Sequence, residues 1–133
     1  LRQLEELTAL PVRDEPRLPG EARPHPPVDC YVVAPASANT VAKLAVGISD
    51  NQALTQVNEA IGTQGVSVVV FPRINMAHAR HPSWKSHVAA LESAGVLMIQ
   101  GSDVWPLYEP REGVSGRDLP WGAILNAAER AVK

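Results

Sequence analysis

The chain reads as an α/β protein, a parallel sheet with helices packed on both faces. Three observations predict this. Two strand-like runs, Cys30-Tyr31-Val32-Val33 and Val66-Ser67-Val68-Val69-Val70-Phe71, and a shorter one, Val96-Leu97-Met98-Ile99, are separated by stretches with helical spacing of apolar residues. Strands that alternate with helices pair in parallel through right-handed crossovers. The second run is apolar and β-branched almost throughout, as a strand covered on both faces must be.

Each element follows in order. Leu1, Leu4, Leu7 and Leu10 have helical spacing, and with no Met at the start they read as the tail of something longer. Half of the prolines fall between Pro11 and Pro27, so residues 11–27 form an extended connection rather than a helix or central strand. The first strand is expected over about Asp29 to Ala34. A helix over about Ala38 to Val46 buries Val41, Leu44 and Ala45, with Ile48 continuing that face, and stops at Gly47. The next helix is expected from Ser49, where Ser49 and Gln52 have capping-box spacing. Its apolar face is Ala53, Leu54, Val57, Ala60 and Ile61, and Gly62 suits its end. Pro72 stops the second strand, and a loop is expected from Arg73 to Pro82. Ser83 opens a helix with Trp84, Val88 and Leu91 inward. After the third strand, Gln100 to Arg117 reads as irregular. Asp118 is expected to cap a last helix whose apolar face is Trp121, Ile124, Leu125 and Ala128, with Pro120 tolerated in its first turn. Three strands make a thin sheet, so further strands or a partner subunit are expected to complete the layer.

Composition narrows the function classes. The 133 residues carry a formal charge of −2, which offers no electrostatic case for nucleic acid or an acidic membrane. The single cysteine, Cys30, makes no internal disulfide or cysteine-based zinc cluster and is compatible with the cytoplasm; no metal site is expected. No apolar run approaches the roughly 20 residues that span a bilayer.

The first strand delivers Ala34-Pro35-Ala36-Ser37-Ala38-Asn39-Thr40 into a helix N-terminus. The first N–H groups of a helix lack partners within it, and its dipole favours negative charge there, so this turn can hold an anionic or phosphate-bearing ligand. Taken alone, it could equally be helix capping. The second strand delivers Phe71-Pro72-Arg73-Ile74-Asn75-Met76-Ala77-His78 at the same carboxyl edge, where open α/β sheets bind ligands.

These residues resemble a known family. Pro35 to Thr40 spells the PASANT signature of the homo-oligomeric flavin-containing cysteine decarboxylases. Gly47-Ile48-Ser49-Asp50-Asn51 resembles that family's Gly-x-x-Asp-Asn segment. Pro72-Arg73-Ile74-Asn75 resembles the start of its Pro-x-Met-Asn-x-x-Met-Trp motif, with Ile74, His78 and Ala79 in place of Met, Met and Trp. The resemblance implies a flavodoxin-like (Rossmann-like) fold in which this chain is the C-terminal part of a longer flavoprotein domain, its N-terminal strands and phosphate-binding loop lying upstream of Leu1. It implies FMN bordered by Pro35, Ala36, Ser37, Asn39 and Thr40, and a substrate carboxylate held by Asn75 with Ile74 and His78 nearby. It implies a cytoplasmic homo-oligomer, a trimer or a multiple of trimers, with the flavin at a subunit interface. Residues Gly101 to Arg117 correspond to the family's substrate clamp, with Gly101, Gly113 and Gly116 as hinges; the bland alternative is a surface loop.

The family's catalytic histidine falls here near Glu21, and His25 is out of register, so the catalytic residue stays unassigned. His78 and His81 could transfer protons, or simply be solvated. The cysteine that some members use for re-reduction has no counterpart in Val114-Ser115-Gly116-Arg117. The expected activity is therefore oxidative decarboxylation of a cysteine-derived carboxylate, a peptide's C-terminal cysteine becoming an aminoenethiol. Alternatives are a phosphopantothenoylcysteine decarboxylase-like or flavin prenyltransferase-like enzyme, and a non-catalytic flavin-binding subunit.

Overall fold

A computed structural model describes residues 2–10, 27–112 and 117–132. Most of the proline-rich connection, with Glu21 and His25, lies outside the described residues, as do Gly113 and Gly116. The elements are α1 (Arg2–Thr8), β1 (Cys30–Ala36), α2 (Ala38–Val46), α3 (Gln52–Ile61), β2 (Ser67–Pro72), α4 (Met76–Arg80), α5 (Trp84–Ser93), β3 (Leu97–Met98) and α6 (Trp121–Ala131).

The sheet has three parallel strands in the order β1-β2-β3. Val32, Val69 and Leu97 lie in register, as do Val33, Val70 and Met98. The pairing slips between Val33 and Ala36, and the Ala34–Pro35 peptide is cis. Val68 to Pro72 are all buried, as a central strand requires. Side chains alternate between two cores. On one face Val68 and Val70 meet Val41 and Leu44 of α2, Leu54, Val57 and Ala60 of α3, and Trp84, Val88 and Leu91 of α5. On the other, Phe71 packs with Trp105 and with Ile124 of α6. Among the described residues, the outer edge of β1 has no partner strand, and Val32 on it is 43% exposed.

Four local expectations are corrected. Asn51, not Ser49, caps α3: its side chain accepts from the Leu54 N–H at 2.8 Å. Ser49 instead accepts from Asn58 Nδ2. Asp118 does not cap α6, which begins after Pro120 with no side-chain cap. Ile124 and Ala127 of α6 face the sheet, while Trp121 and Leu125 are half exposed or more. The stripes 121/125/128 and 124/127/131 are both apolar, so spacing alone could not choose between them. The irregular stretch from Arg73 to Pro82 also contains a helix, α4.

The Gly47-Ile48-Ser49-Asp50-Asn51 segment is a structural joint. Gly47 ends α2 at φ +81°, and its N–H bonds the Lys43 carbonyl. Lys43 also pairs with Asp50 at 2.6 Å, and this hydrogen bond holds the Asp50 carboxyl below its usual range. The contribution of the pair is therefore present at neutral pH and is lost as pH falls through that lowered value. A Cβ on Gly47 would meet nothing within 4 Å, so only backbone strain opposes a side chain there. Gly47→Ala is expected to lower the unfolding free energy by about 1 kcal/mol in urea denaturation.

Candidate functional site

The ends of β1 and β2 are tied together by the sequence that follows them. The Arg73 N–H donates to the Ala36 carbonyl at 2.8 Å, so the Ser37–Thr40 turn and the Asn75 loop lie side by side at the carboxyl edge. The Ile99 N–H continues the tie from β3 to the Val70 carbonyl.

At the first turn, Ser37 is the N-cap of α2. Its Oγ accepts from the Thr40 N–H at 3.1 Å, and its hydroxyl lies 3.2 Å from Thr40 Oγ1. The Val41 N–H closes the first intrahelical bond to the Ser37 carbonyl, so the N–H groups of Ala38 and Asn39 precede the ladder. Pro35, Ser37 and Asn39 are exposed and Thr40 is partly so. Ala36 differs: it is 2% exposed and packs in the α2/α3/α5 core, so it meets the site through its backbone alone. Ser37→Ala removes the cap and is expected to cost about 1 kcal/mol by urea denaturation, with Ser37→Gly costing a few tenths.

At the second turn, Asn75 is the N-cap of α4. Its Oδ1 accepts from the His78 N–H at 3.0 Å. That bond fixes the amide: the oxygen faces the helix, and the two N–H donors of Nδ2 are left for another acceptor. Ile74 is 5% exposed and part of the core. His78 is exposed, and its backbone rather than its ring meets Asn75. His81 turns away, with its Nδ1 accepting from the Ser83 N–H at 3.1 Å. Cys30 lies at the opposite end of β1, and burial pushes its thiol pKa up, as suits an inert packing residue.

The stretch after β3 is docked. Trp105 is 4% exposed and meets Phe71 edge-to-face, with ring centroids 5.4 Å apart. The Met76 N–H donates to the Tyr108 carbonyl at 2.8 Å, and Arg80 pairs with Glu109. Arg117 donates to the Pro106 carbonyl at 2.9 Å. Gly101 has φ +123°, and a Cβ there would stand 2.8 Å from the Asp103 carboxylate, so this turn needs glycine. Beneath the segment is a cavity of about 360 Å³, walled by Ile74, Met76, Trp84, Trp105, Pro106 and Leu107. Sequence reasoning missed Trp105 and the Arg80–Glu109 pair. The available signal was a tryptophan in an otherwise polar stretch, a residue whose area is seldom left in water.

Among the described residues no group of three or more His, Cys, Asp or Glu could hold a metal, and no helix is long and apolar enough to cross a membrane.

Comparison with known proteins places this arrangement. The chain is 35% identical over 72 residues to a cysteine/cysteine sulfinic acid decarboxylase of an unknown prokaryotic organism, 54% of this chain and 19% of that protein. It is 32% identical over 72 residues to the coenzyme A biosynthesis bifunctional protein CoaBC of Thermococcus kodakarensis, 54% of this chain and 17% of that one. The chain thus spans less than a fifth of the length of these curated relatives. Among solved structures, the FMN-dependent cysteine decarboxylase TvaF from thioviridamide biosynthesis superposes with TM-score 0.57 at 25% identity, over 78% of this chain and 50% of that one. The FMN-dependent cysteine decarboxylase SpaF shares the fold with TM-score 0.64 at 22% identity, over 99% of this chain and 71% of its own. The Flavoprotein family pattern matches residues 13–132. The parallel sheet, the paired turns at its carboxyl edge and this match agree: the chain belongs to the Flavoprotein family and has its flavodoxin-like fold.

Proposed function

We propose that the chain binds FMN and forms the substrate side of an oxidative decarboxylase acting on a cysteine-derived carboxylate, a peptide's C-terminal cysteine being converted to an aminoenethiol. One juxtaposition carries this reading: the Ser37–Thr40 turn lies against the Asn75 loop through the Arg73–Ala36 bond, with the Asn75 amide turned to donate. The decarboxylase relatives and the TvaF likeness support it.

The donor set fits the cofactor. The first turn offers exposed hydroxyl and amide groups and the leading N–H groups of α2, which suit the ring and ribityl oxygens of a flavin. FMN, when bound, would supply the redox chemistry, taking a hydride from the carbon beside the cysteine sulfur. The chain's own residues do the rest. Pro35, Ser37, Asn39 and Thr40 hold and orient the cofactor. Asn75 orients the carboxylate without adding charge, so departure of neutral carbon dioxide does not strand a paired cation. Ile74 and Met76 wall the neighbouring space, and Gly101, Ser102, Trp105, Pro106 and Leu107 of the docked segment complete its lining.

The active form in this reading is a cytoplasmic homo-oligomer, a trimer or a multiple of trimers. The edge of β1, without a partner strand among the described residues, and the exposed Trp121, Leu125 and Val132 supply surface for such an assembly. Phosphopantothenoylcysteine decarboxylation is the second reading, favoured by the likeness to coenzyme A biosynthesis proteins.

The test is the visible spectrum of the purified protein, identification of the released chromophore, and mass spectrometry after incubation with a C-terminal cysteine peptide. Bound FMN and loss of carbon dioxide plus two hydrogens are expected. A protein that cannot be loaded with FMN sinks the reading. Bound FMN with no mass loss on any cysteine carboxylate leaves only a flavin-binding subunit.

A further inference from the structure

Beside the site, two arginines lie over one indole ring whose own N–H is buried. Among the described residues, the buried Trp105 indole N–H has no partner. The Arg117 guanidinium carbon lies 3.8 Å from the centroid of that ring, and the Arg73 guanidinium carbon 5.9 Å from it. Arg117 spends one N–H on the Pro106 carbonyl. Among the described residues neither arginine is in an ion pair, whereas Arg80 pairs with Glu109. Glu109, the carboxylate of the docked segment that pairs with a cation, is thus taken by Arg80.

The chemistry of these groups is one-sided. Guanidinium carries five donors and no acceptor, and indole one donor and no acceptor. Contact with an indole face relieves part of the charge but leaves in-plane N–H donors on each guanidinium, Arg117 having given one to Pro106. Two cations on one ring also repel. A buried polar atom without a partner calls for a specific account, and an absent ion or ligand group is one. The location agrees. Arg73 directly follows β2 and stands two residues before Asn75, and Trp105 is in the wall of the cavity beneath the docked segment.

We propose that Arg73, Arg117 and the Trp105 indole N–H form an anion seat at the carboxyl end of β2, which takes a carboxylate or phosphate group carried by the substrate away from its reacting cysteine carboxylate. This deepens the function proposed above and rests on it for the molecule that carries the anion. The seat itself is tested without flavin or turnover.

The experiment is the indole N–H region of a nitrogen–proton correlation spectrum of the full chain, which has three tryptophans. Trp105 is assigned with W105F and W121F. Inorganic phosphate and acetate are titrated separately at ionic strength held constant with sodium chloride. The Trp105 signal is expected to move saturably while the Trp121 signal stays. R73Q and R117Q are each expected to weaken binding by about tenfold, as loss of a charge-assisted contact implies, with R117K weaker than the parent but tighter than R117Q. Tighter phosphate binding identifies a phosphoryl-bearing substrate, and tighter acetate binding a second carboxylate; either supports the seat. No saturable movement with either anion, or equal movement in the R73Q/R117Q double variant, overturns it. Should R117Q fail to fold, R73Q, at an exposed position, decides alone. A chain that binds the anion but decarboxylates no cysteine substrate overturns the proposed function and leaves the seat standing.

Discussion

Asn75→Asp is expected to leave the protein folded and reduce decarboxylation by about a hundredfold or more. The substitution separates two jobs of one side chain. As helix cap, the Asn75 oxygen accepts from the His78 N–H, and aspartate serves as well at that position. In its proposed role as carboxylate ligand, Asn75 offers its two amide N–H donors, and aspartate offers none. It places a negative charge beside the substrate's own. Loss of one oriented donor in an active site typically costs about 10²–10³ in rate, and repulsion adds to it. Urea denaturation should show stability within about 0.5 kcal/mol of the parent. Turnover of a C-terminal cysteine peptide should collapse, with Asn75→Ala losing both the cap and the activity. An Asn75→Asp protein that turns over at the parental rate would remove Asn75 from the site and leave it as a cap.

Phe71→Ala should produce the largest loss of stability, about 3–5 kcal/mol. Phe71 is fully buried and sits between two structural units. It is the last apolar residue before Pro72 on the central strand, and it packs with Ile124 of α6 and edge-to-face on Trp105. Truncation therefore opens a cavity that the neighbouring strands cannot collapse, and it removes the floor on which Trp105 rests. Domains are stable by about 5–15 kcal/mol in all, so the loss is a large fraction of the total. The urea midpoint should fall steeply, and tryptophan fluorescence should report a loosened docked segment before global unfolding. Phe71→Leu, which keeps most of the volume, should cost less than about 1.5 kcal/mol. Val46→Ala, at a position 60% exposed, serves as the control and should change stability by no more than about 0.5 kcal/mol. Equal effects at Phe71 and Val46 would mean that the core around Phe71 is not formed in solution.

Much of this was legible in the chain. The all-apolar run Val68 to Phe71 could only be a strand covered on both faces. The small, hydroxyl-bearing run after Pro35 could only open a helix, and its spacing of Ser37 and Thr40 is a cap. These are local matters, decided by backbone sterics and by side chains within a few residues. The choice of cap for α3 was less legible, because Ser49 and Asn51 are both good caps; in the fold Ser49 is taken by Asn58 and Asn51 meets the Leu54 N–H.

Other features required the folded chain. Which stripe of α6 faces the sheet depends on Phe71 and Trp105, residues far from it in sequence. That Ala36 is core while Ser37 is surface depends on where β1 ends against β2. The docking of residues 101–112 depends on an ion pair and a backbone bond to α4, neither of which has any periodicity to announce it. By itself, then, the sequence determined the order of the strands and of the helices other than α4, and the two motif turns, because local hydrogen bonding and hydrophobic periodicity act over short stretches. Only the tertiary structure decided that those turns touch, and that Arg73 and Arg117 both lie over Trp105, because such contacts join residues that are distant along the chain and close only once the sheet has formed.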